Sequence, residues 1–175
     1  LILLGLMMLG LIIYWPSRDL LPFLVQGDIG RDLYAYQRTA DGGIPYRDYY
    51  YTYGPMMPFY YATFFKVLGV HVSSVLWGKL VLNICSGLLI FLILDLWCPL
   101  LFGLLATAWF WIYNPDVVHT FNHAGGMPLL LAAVYLVLRR LKDRKDRGRL
   151  WRLLLVTVLT LACLVKLNLG LSLVA

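Results

Sequence analysis

Apolar residues run along this chain in long blocks, and the blocks set the architecture. A helix that crosses a bilayer needs about 20 mostly apolar residues, fewer where its ends are polar or the bilayer thins. Five blocks follow that pattern, at about 1–15, 75–94, 99–113, 128–141 and 153–175. The block at 99 opens on Pro99, at a position helices tolerate, and the block at 128 opens on Pro128 behind the breaker pair Gly125 and Gly126. The first and last blocks coincide with the chain's own ends, as expected of the N-terminal part of a longer protein. The expected fold class is all-α: a polytopic transmembrane helical protein with a long outward loop of short juxtamembrane helices.

Met56–Leu68, MMPFYYATFFKVL, is nearly apolar enough to span. It is short, with Pro58 near its start and Lys66 near its end, and its aromatic content suits the headgroup boundary. It is expected to lie along the interface. That choice fixes the parity of every earlier element.

Composition supports the membrane reading. With 61% apolar or aromatic residues, 14% charged residues and a mean hydropathy of +0.76, the chain cannot cover a soluble core of its size with polar surface. Cys85, Cys98 and Cys163 all lie in apolar runs without a CxxC spacing, so they are expected to be core residues. The net charge of +6 does not point to nucleic acid once it is located. Residues 139–152, RRLKDRKDRGRLWR, hold eight bases and two acids, while the rest of the chain balances at seven of each. A short basic loop between apolar segments belongs in the cytoplasm by the positive-inside rule, and aromatic interleaving for RNA is absent apart from Trp151. Counting back from it places residues 16–74 on the non-cytoplasmic side.

That outward loop is where chemistry is expected, because loops carry function on a rigid scaffold. Residues 16–54 hold five of the nine aspartates, and residues 34–61 hold nine of the twelve tyrosines, which suit an interfacial belt or platforms for a sugar or lipid headgroup. Within it, GDIGRDLYAYQRTADGG reads as a small helix, broken before by Gly27, capped by Asp28 and ended by Gly42 and Gly43. Asp28 and Asp32 are then one turn apart on one side, with Arg31 beside Asp32. The pair suits acid–base work or a metal, and an N-cap with a solvated Asp–Arg pair accounts for it equally.

A first span, an outward loop with an early Asp, and the run ADGGIPYRDYYYTYGPMMPFYYATFFKVLG before the second span resemble the GT-C membrane glycosyltransferases. The similar subgroup uses polyprenyl-phosphate sugars and includes protein O-mannosyltransferases and the lipid A aminoarabinose transferase. The stretch NPDVVHTFNHAGGMPLLLAAVYLVLRRL resembles that family's next outward end and helix. The resemblance implies juxtamembrane helices packed on the membrane face, a polyprenyl-phosphate-linked sugar as donor, and a glycan, lipid or protein acceptor. Asp28 matches the family's early Asp, but Ile29 stands where relatives often have Glu, leaving Asp32 as the local substitute. Asn122, His123, Gly125 and Gly126 stand where many relatives have an Arg and a second Asp, and Tyr53-Gly54-Pro55 replaces a Lys before Pro-Pro.

Such a transfer needs a carboxylate to orient or deprotonate the acceptor and positive charge for the departing phosphate. Asp28 and Asp32 are the expected catalytic residues, and Asp28 is the residue a divalent metal would use. Lys166, Arg31, Arg47, His123 and Tyr46 are expected to bind substrate or lipid phosphate, with His119 and Asp116 nearby in sequence. Lys166 stands inside an apolar block, where a cation is costly unless paired or snorkelling. Membrane lipids are the remaining expected partners. A transporter or lipid-handling protein is the alternative, although apart from Lys79, Asn83, Lys166 and Asn168 the blocks are dry and lack the broken helices expected of a midplane site, and a non-catalytic relative would explain the missing second acid.

The topology is directly testable. A cysteine placed at Gly42 should react with an impermeant reagent in intact cells, and one placed at Gly148 should not. The reverse pattern would invert the assignment.

Overall fold

The computed structural model describes residues 2–13, 27–113, 121–143 and 148–171. Within them the chain is all-helical: α1 (Ile2–Ile13), α2 (Gly27–Ala40), α3 (Met56–Leu68), α4 (Val72–Leu94), α5 (Leu100–Tyr113), α6 (Phe121–Asp143), α7 (Gly148–Val165) and α8 (Leu167–Leu171). The only bridge-like pairing among the described residues joins Pro45 and Tyr49. Three helices are long and apolar enough to cross a membrane, namely α4, the Ala124–Asp143 part of α6, and α7. The apolar helices α1 and α5 are shorter.

The long helices alternate in direction. Tyr60 of α3 donates from its hydroxyl to the Gly78 carbonyl near the start of α4 (2.8 Å), and Lys142 near the end of α6 donates to the Leu96 carbonyl just past the end of α4. Gly125, near the start of α6, lies against Met57 of α3. Therefore α4 and α6 run away from the α2–α3 cap. Helices α1, α5 and α7 run toward it: Gly54, just before α3, donates its amide to the Val165 carbonyl at the end of α7 (3.0 Å), Leu6 of α1 packs with Phe91 while Gly10 faces Ile84, and Thr107 and Trp111 along α5 reach Gly87 and then Asn83 of α4.

Inside a membrane the solvent gives no hydrophobic drive between helices, so close backbone approach and interhelical hydrogen bonds must hold them. The α4–α5 contact uses a side chain seated on a small residue together with such hydrogen bonds. The Trp111 indole lies against Gly87, its Nε1 donates to the Asn83 carbonyl (3.0 Å), and Thr107 Oγ1 donates to the Gly87 carbonyl (3.2 Å). A Cβ at Gly87 would overlap the indole.

The cysteines expected in the core do not all lie there, since Cys85 and Cys98 are exposed on the apolar helical surface and its turn. Three further sequence expectations change. The fourth apolar block is helical from Phe121, through Gly125, Gly126 and Pro128. The glycine serves close packing, since a Cβ at Gly125 would overlap the Met57 side chain, and an interior Pro is tolerated where neighbouring helices support the turn. The last block begins at Gly148 but is interrupted at Lys166, with α8 following; residues 172–175 lie outside the described part. The tyrosines divide between core and surface: Tyr36, Tyr49, Tyr51 and Tyr61 are buried together with Ile29, Met57, Phe65, Val75 and Val165, whereas Tyr34, Tyr46 and Tyr50 are exposed.

That core seats the cap on the bundle. The α2 stripe Ile29, Asp32, Tyr36 and Thr39 recurs at three- and four-residue steps and faces inward, and on α3 the inward stripe is Met57, Tyr61 and Phe65. The Tyr36 and Tyr61 rings stack at 4.6 Å between centroids. The chain leaves α2 through Gly42, whose φ of +96° lies in the left-handed region that glycine adopts without penalty.

Gly87→Leu should destabilise the detergent-solubilised protein by at least about 1–3 kcal/mol, since Trp111 must leave its seat. Gly5, with nothing within 4 Å of a Cβ built on it, is the control, and Gly5→Leu should leave the thermal midpoint nearly unchanged. Equal midpoints for the two variants would refute the close-packed α4–α5 contact.

Candidate functional site

The chemistry-bearing residues of the cap gather where α2, the 42–55 loop and the end of α7 meet. Asp32 lies on the packing stripe of α2 and has no exposed surface (0%), whereas the Asp28 side chain, in the first helical turn, is 61% exposed. The two carboxylates do not present together, as the sequence reading had them. Four residues along a helix is one turn, but only the second of these positions faces the core. Because α2 begins at Gly27, Asp28 sits in its first turn rather than capping it, where a negative charge still suits the helix dipole.

Arg31 joins them. Its Nη1 lies 3.1 Å from Asp28 Oδ1, and its Nε and Nη2 each lie 3.4 Å from Asp32 Oδ1. The buried Tyr51 hydroxyl points to the same Asp32 oxygen at 3.4 Å. Burial works against the Arg31 charge, but Asp32, a hydrogen bond with Tyr53 and the nearby Asp28 outweigh it and raise its pKa. Tyr36 stays a neutral phenol: burial pushes its pKa well above the usual value, and Tyr51, Tyr61 and Asp32 push the same way.

Tyr53 is the meeting point. The Arg31 guanidinium carbon lies 5.1 Å from the Tyr53 ring centroid and the Lys166 ammonium 5.3 Å from the same centroid, both within cation–π range. Lys166 arrives there because α7 ends at Val165 and the Gly54 amide bonds to the Val165 carbonyl. A Cβ on Gly54 would overlap the Leu164 carbonyl, so only glycine lets the loop approach this closely.

The other expected site residues fall differently. Arg47 is paired with Asp48, Nη2 to Oδ2 at 2.8 Å and Nε to Oδ1 at 2.9 Å, on an exposed turn. Asp48 in turn accepts the Ile44 amide (2.8 Å), and the Arg47 bond followed by that amide holds its carboxyl down at about 2. Among the described residues Arg47 thus organises the 44–49 turn and does not join the Arg31 cluster. Tyr46 has a left-handed backbone (φ 68°), and its hydroxyl donates to the Tyr53 carbonyl, which makes it a support for Tyr53. His123 stands in the first turn of α6 with its side chain outside the described part, and Asp116 and His119 lie outside the described residues. No group of three His, Cys, Asp or Glu side chains with metal-binding geometry occurs among the described residues.

Sequence reasoning missed Tyr51, Tyr53 and Gly54. In sequence Tyr49, Tyr50 and Tyr51 are identical, so nothing local marks which of them turns inward; packing against α2 buries Tyr49 and Tyr51 and leaves Tyr50 exposed. No protein-family profile, curated protein or solved structure matches this chain.

The class defined so far is an all-α protein with three helices able to cross a membrane and, at one end, a cap that brings two cations and two carboxylates together. Truncating its buried acid tests the arrangement. Asp32→Ala leaves Arg31 and Tyr51 without their shared acceptor, and should cost about 2–3 kcal/mol, below the full value for a buried pair because Arg31 is partly exposed. Asp28→Ala should cost under about 1 kcal/mol. Unfolding in detergent measures both, and a smaller loss for Asp32→Ala than for Asp28→Ala would contradict the geometry.

Proposed function

We propose that the protein is a membrane glycosyltransferase that moves a sugar from a polyprenyl-phosphate carrier to an acceptor hydroxyl on the non-cytoplasmic side. The observation that carries this reading is the convergence of Arg31 and Lys166 on the Tyr53 ring, beside the exposed carboxylate of Asp28. Two cations suit an anionic phosphate, and a solvent-facing carboxylate suits a hydroxyl. The resemblance to GT-C enzymes supports the same reading through Asp28.

In this mechanism Asp28 takes the proton of the acceptor hydroxyl as its oxygen attacks the anomeric carbon. The bond from that carbon to the phosphate oxygen breaks, and the polyprenyl phosphate leaves with the electron pair, its charge met by Arg31 and Lys166. A single displacement inverts the anomeric centre. Asp32, having no exposed surface, acts on Arg31 and not on substrate. Tyr53 lies within reach of both cations, and the Tyr46 hydroxyl holds the Tyr53 carbonyl.

One observation favours a second reading, a transporter or lipid-handling protein: α7 breaks at Lys166, and broken helices line the sites of many transporters. Transfer and transport are separable by assay. The full-length protein in membranes should move radiolabelled sugar from a polyprenyl-phosphate donor to acceptor. Asp28→Asn should lower turnover by about 10²–10⁴-fold at matched expression, and Lys166→Met should weaken use of the donor while leaving insertion intact. Near-parental transfer by Asp28→Asn would remove the central residue, and donor translocation without transfer would establish the second reading.

A further inference from the structure

The opposite end of the bundle carries a second assembly of charge, independent of the proposed transfer. The last turn of α6 contributes Arg139, Arg140 and Lys142, and the first turns of α7 contribute Arg149 and Arg152. These helices pack against each other and are joined by a short connection, so both groups of cations lie at the same end of the bundle. Two of the five are engaged. Arg139 pairs with Asp143 (Nε to Oδ2, 3.2 Å), and Lys142 donates to the Leu96 carbonyl, fastening α6 to the turn between α4 and α5. Arg140, Arg149 and Arg152 are exposed, and none has a carboxylate partner among the described residues.

The surroundings of these arginines identify what they face. Leu141 is 65% exposed and Leu150 69%, each adjacent in sequence to one of the arginines, and Trp97 on the α4–α5 turn is also exposed. A surface meant for a soluble polyanion would be polar between its cations. Here leucine and tryptophan alternate with arginine at the end of apolar helices, which is the chemistry of the boundary between acyl chains and headgroups.

We propose that this end is a binding site for anionic phospholipid, in which Arg140, Arg149 and Arg152 meet the headgroup phosphate and Leu141, Leu150 and Trp97 meet its upper acyl chains. Arginine suits the role because its planar fork offers paired donors to phosphate oxygens. Bound lipid would bridge the ends of α6 and α7, which covalently share only the short connection between them.

Native mass spectrometry of the full-length protein tests this, with the detergent-solubilised protein exposed to an equal mixture of phosphatidylglycerol and phosphatidylcholine. Phosphatidylglycerol should be retained preferentially. Each arginine changed to glutamine should weaken that retention about fivefold, and Arg140→Gln/Arg149→Gln/Arg152→Gln together by on the order of a hundredfold. Arg38→Gln/Lys66→Gln, which removes charge from exposed positions at the cap end, should leave it unchanged. Should the triple variant fail to fold, Arg149→Gln alone still reads the fivefold loss. Parental retention in the arginine variants, or equal loss in the cap-end control, would overturn the proposal. Displacement of phosphatidylglycerol by heparin at equal charge would overturn it too, by showing a site for soluble polyanions.

Discussion

A carboxylate without exposed surface is the constraint around which the cap is arranged. Asp32 sits on the same stripe of α2 as Ile29 and Tyr36, where an uncompensated charge would cost several kcal/mol, so donors must be brought to it. Arg31 is the local donor and Tyr51 the distant one, and Tyr51 reaches Asp32 only if the loop after α2 folds back across the helix. That return path sets down Tyr53 and Gly54 against the end of α7. The cap and the bundle are therefore joined through a polar requirement as well as an apolar one.

The bundle itself follows the logic of packing in lipid. Small residues on α4, among them Ser74, Gly78, Ser86 and Gly87, are buried and let neighbouring side chains and backbones approach. Polar groups within it point at backbone carbonyls: Trp111 to Asn83, Thr107 to Gly87, and Tyr60 to Gly78. Each satisfies a group that lipid could not. The outward faces of α5 and α7, with residues such as Phe102, Trp109, Leu150 and Val156 exposed, are apolar as a lipid-facing surface requires.

The two ends of the bundle differ in the use they make of charge. At the cap, cations and carboxylates are interlocked, so Arg31 is fixed between Asp28 and Asp32 while it faces Tyr53. Such fixed charge suits the proposed handling of a phosphate leaving group, where preorganised donors need not rearrange as the bond breaks. At the other end the arginines are exposed, an arrangement suited to a mobile partner such as a headgroup.

The sequence by itself determined the helical class, the position of the apolar blocks, the amphipathic α2 with its glycine stop, and the concentration of net positive charge in one loop. These are readable because span length, helix periodicity and turn glycine are local properties of the chain. The resemblance drawn from its motifs drew attention to Asp28, and the cost of a cation inside an apolar block drew attention to Lys166. Only the tertiary structure decided depth and neighbourhood. Asp28 and Asp32 are equivalent in sequence and opposite in burial, because that depends on what packs over α2. Arg47 looked as available as Arg31, yet Asp48 holds it in a turn. Gly125 read as a breaker and serves as a seat for Met57. Lys166 meets Tyr53 because a glycine amide more than a hundred residues earlier bonds to the last carbonyl of α7, a contact with no local signature.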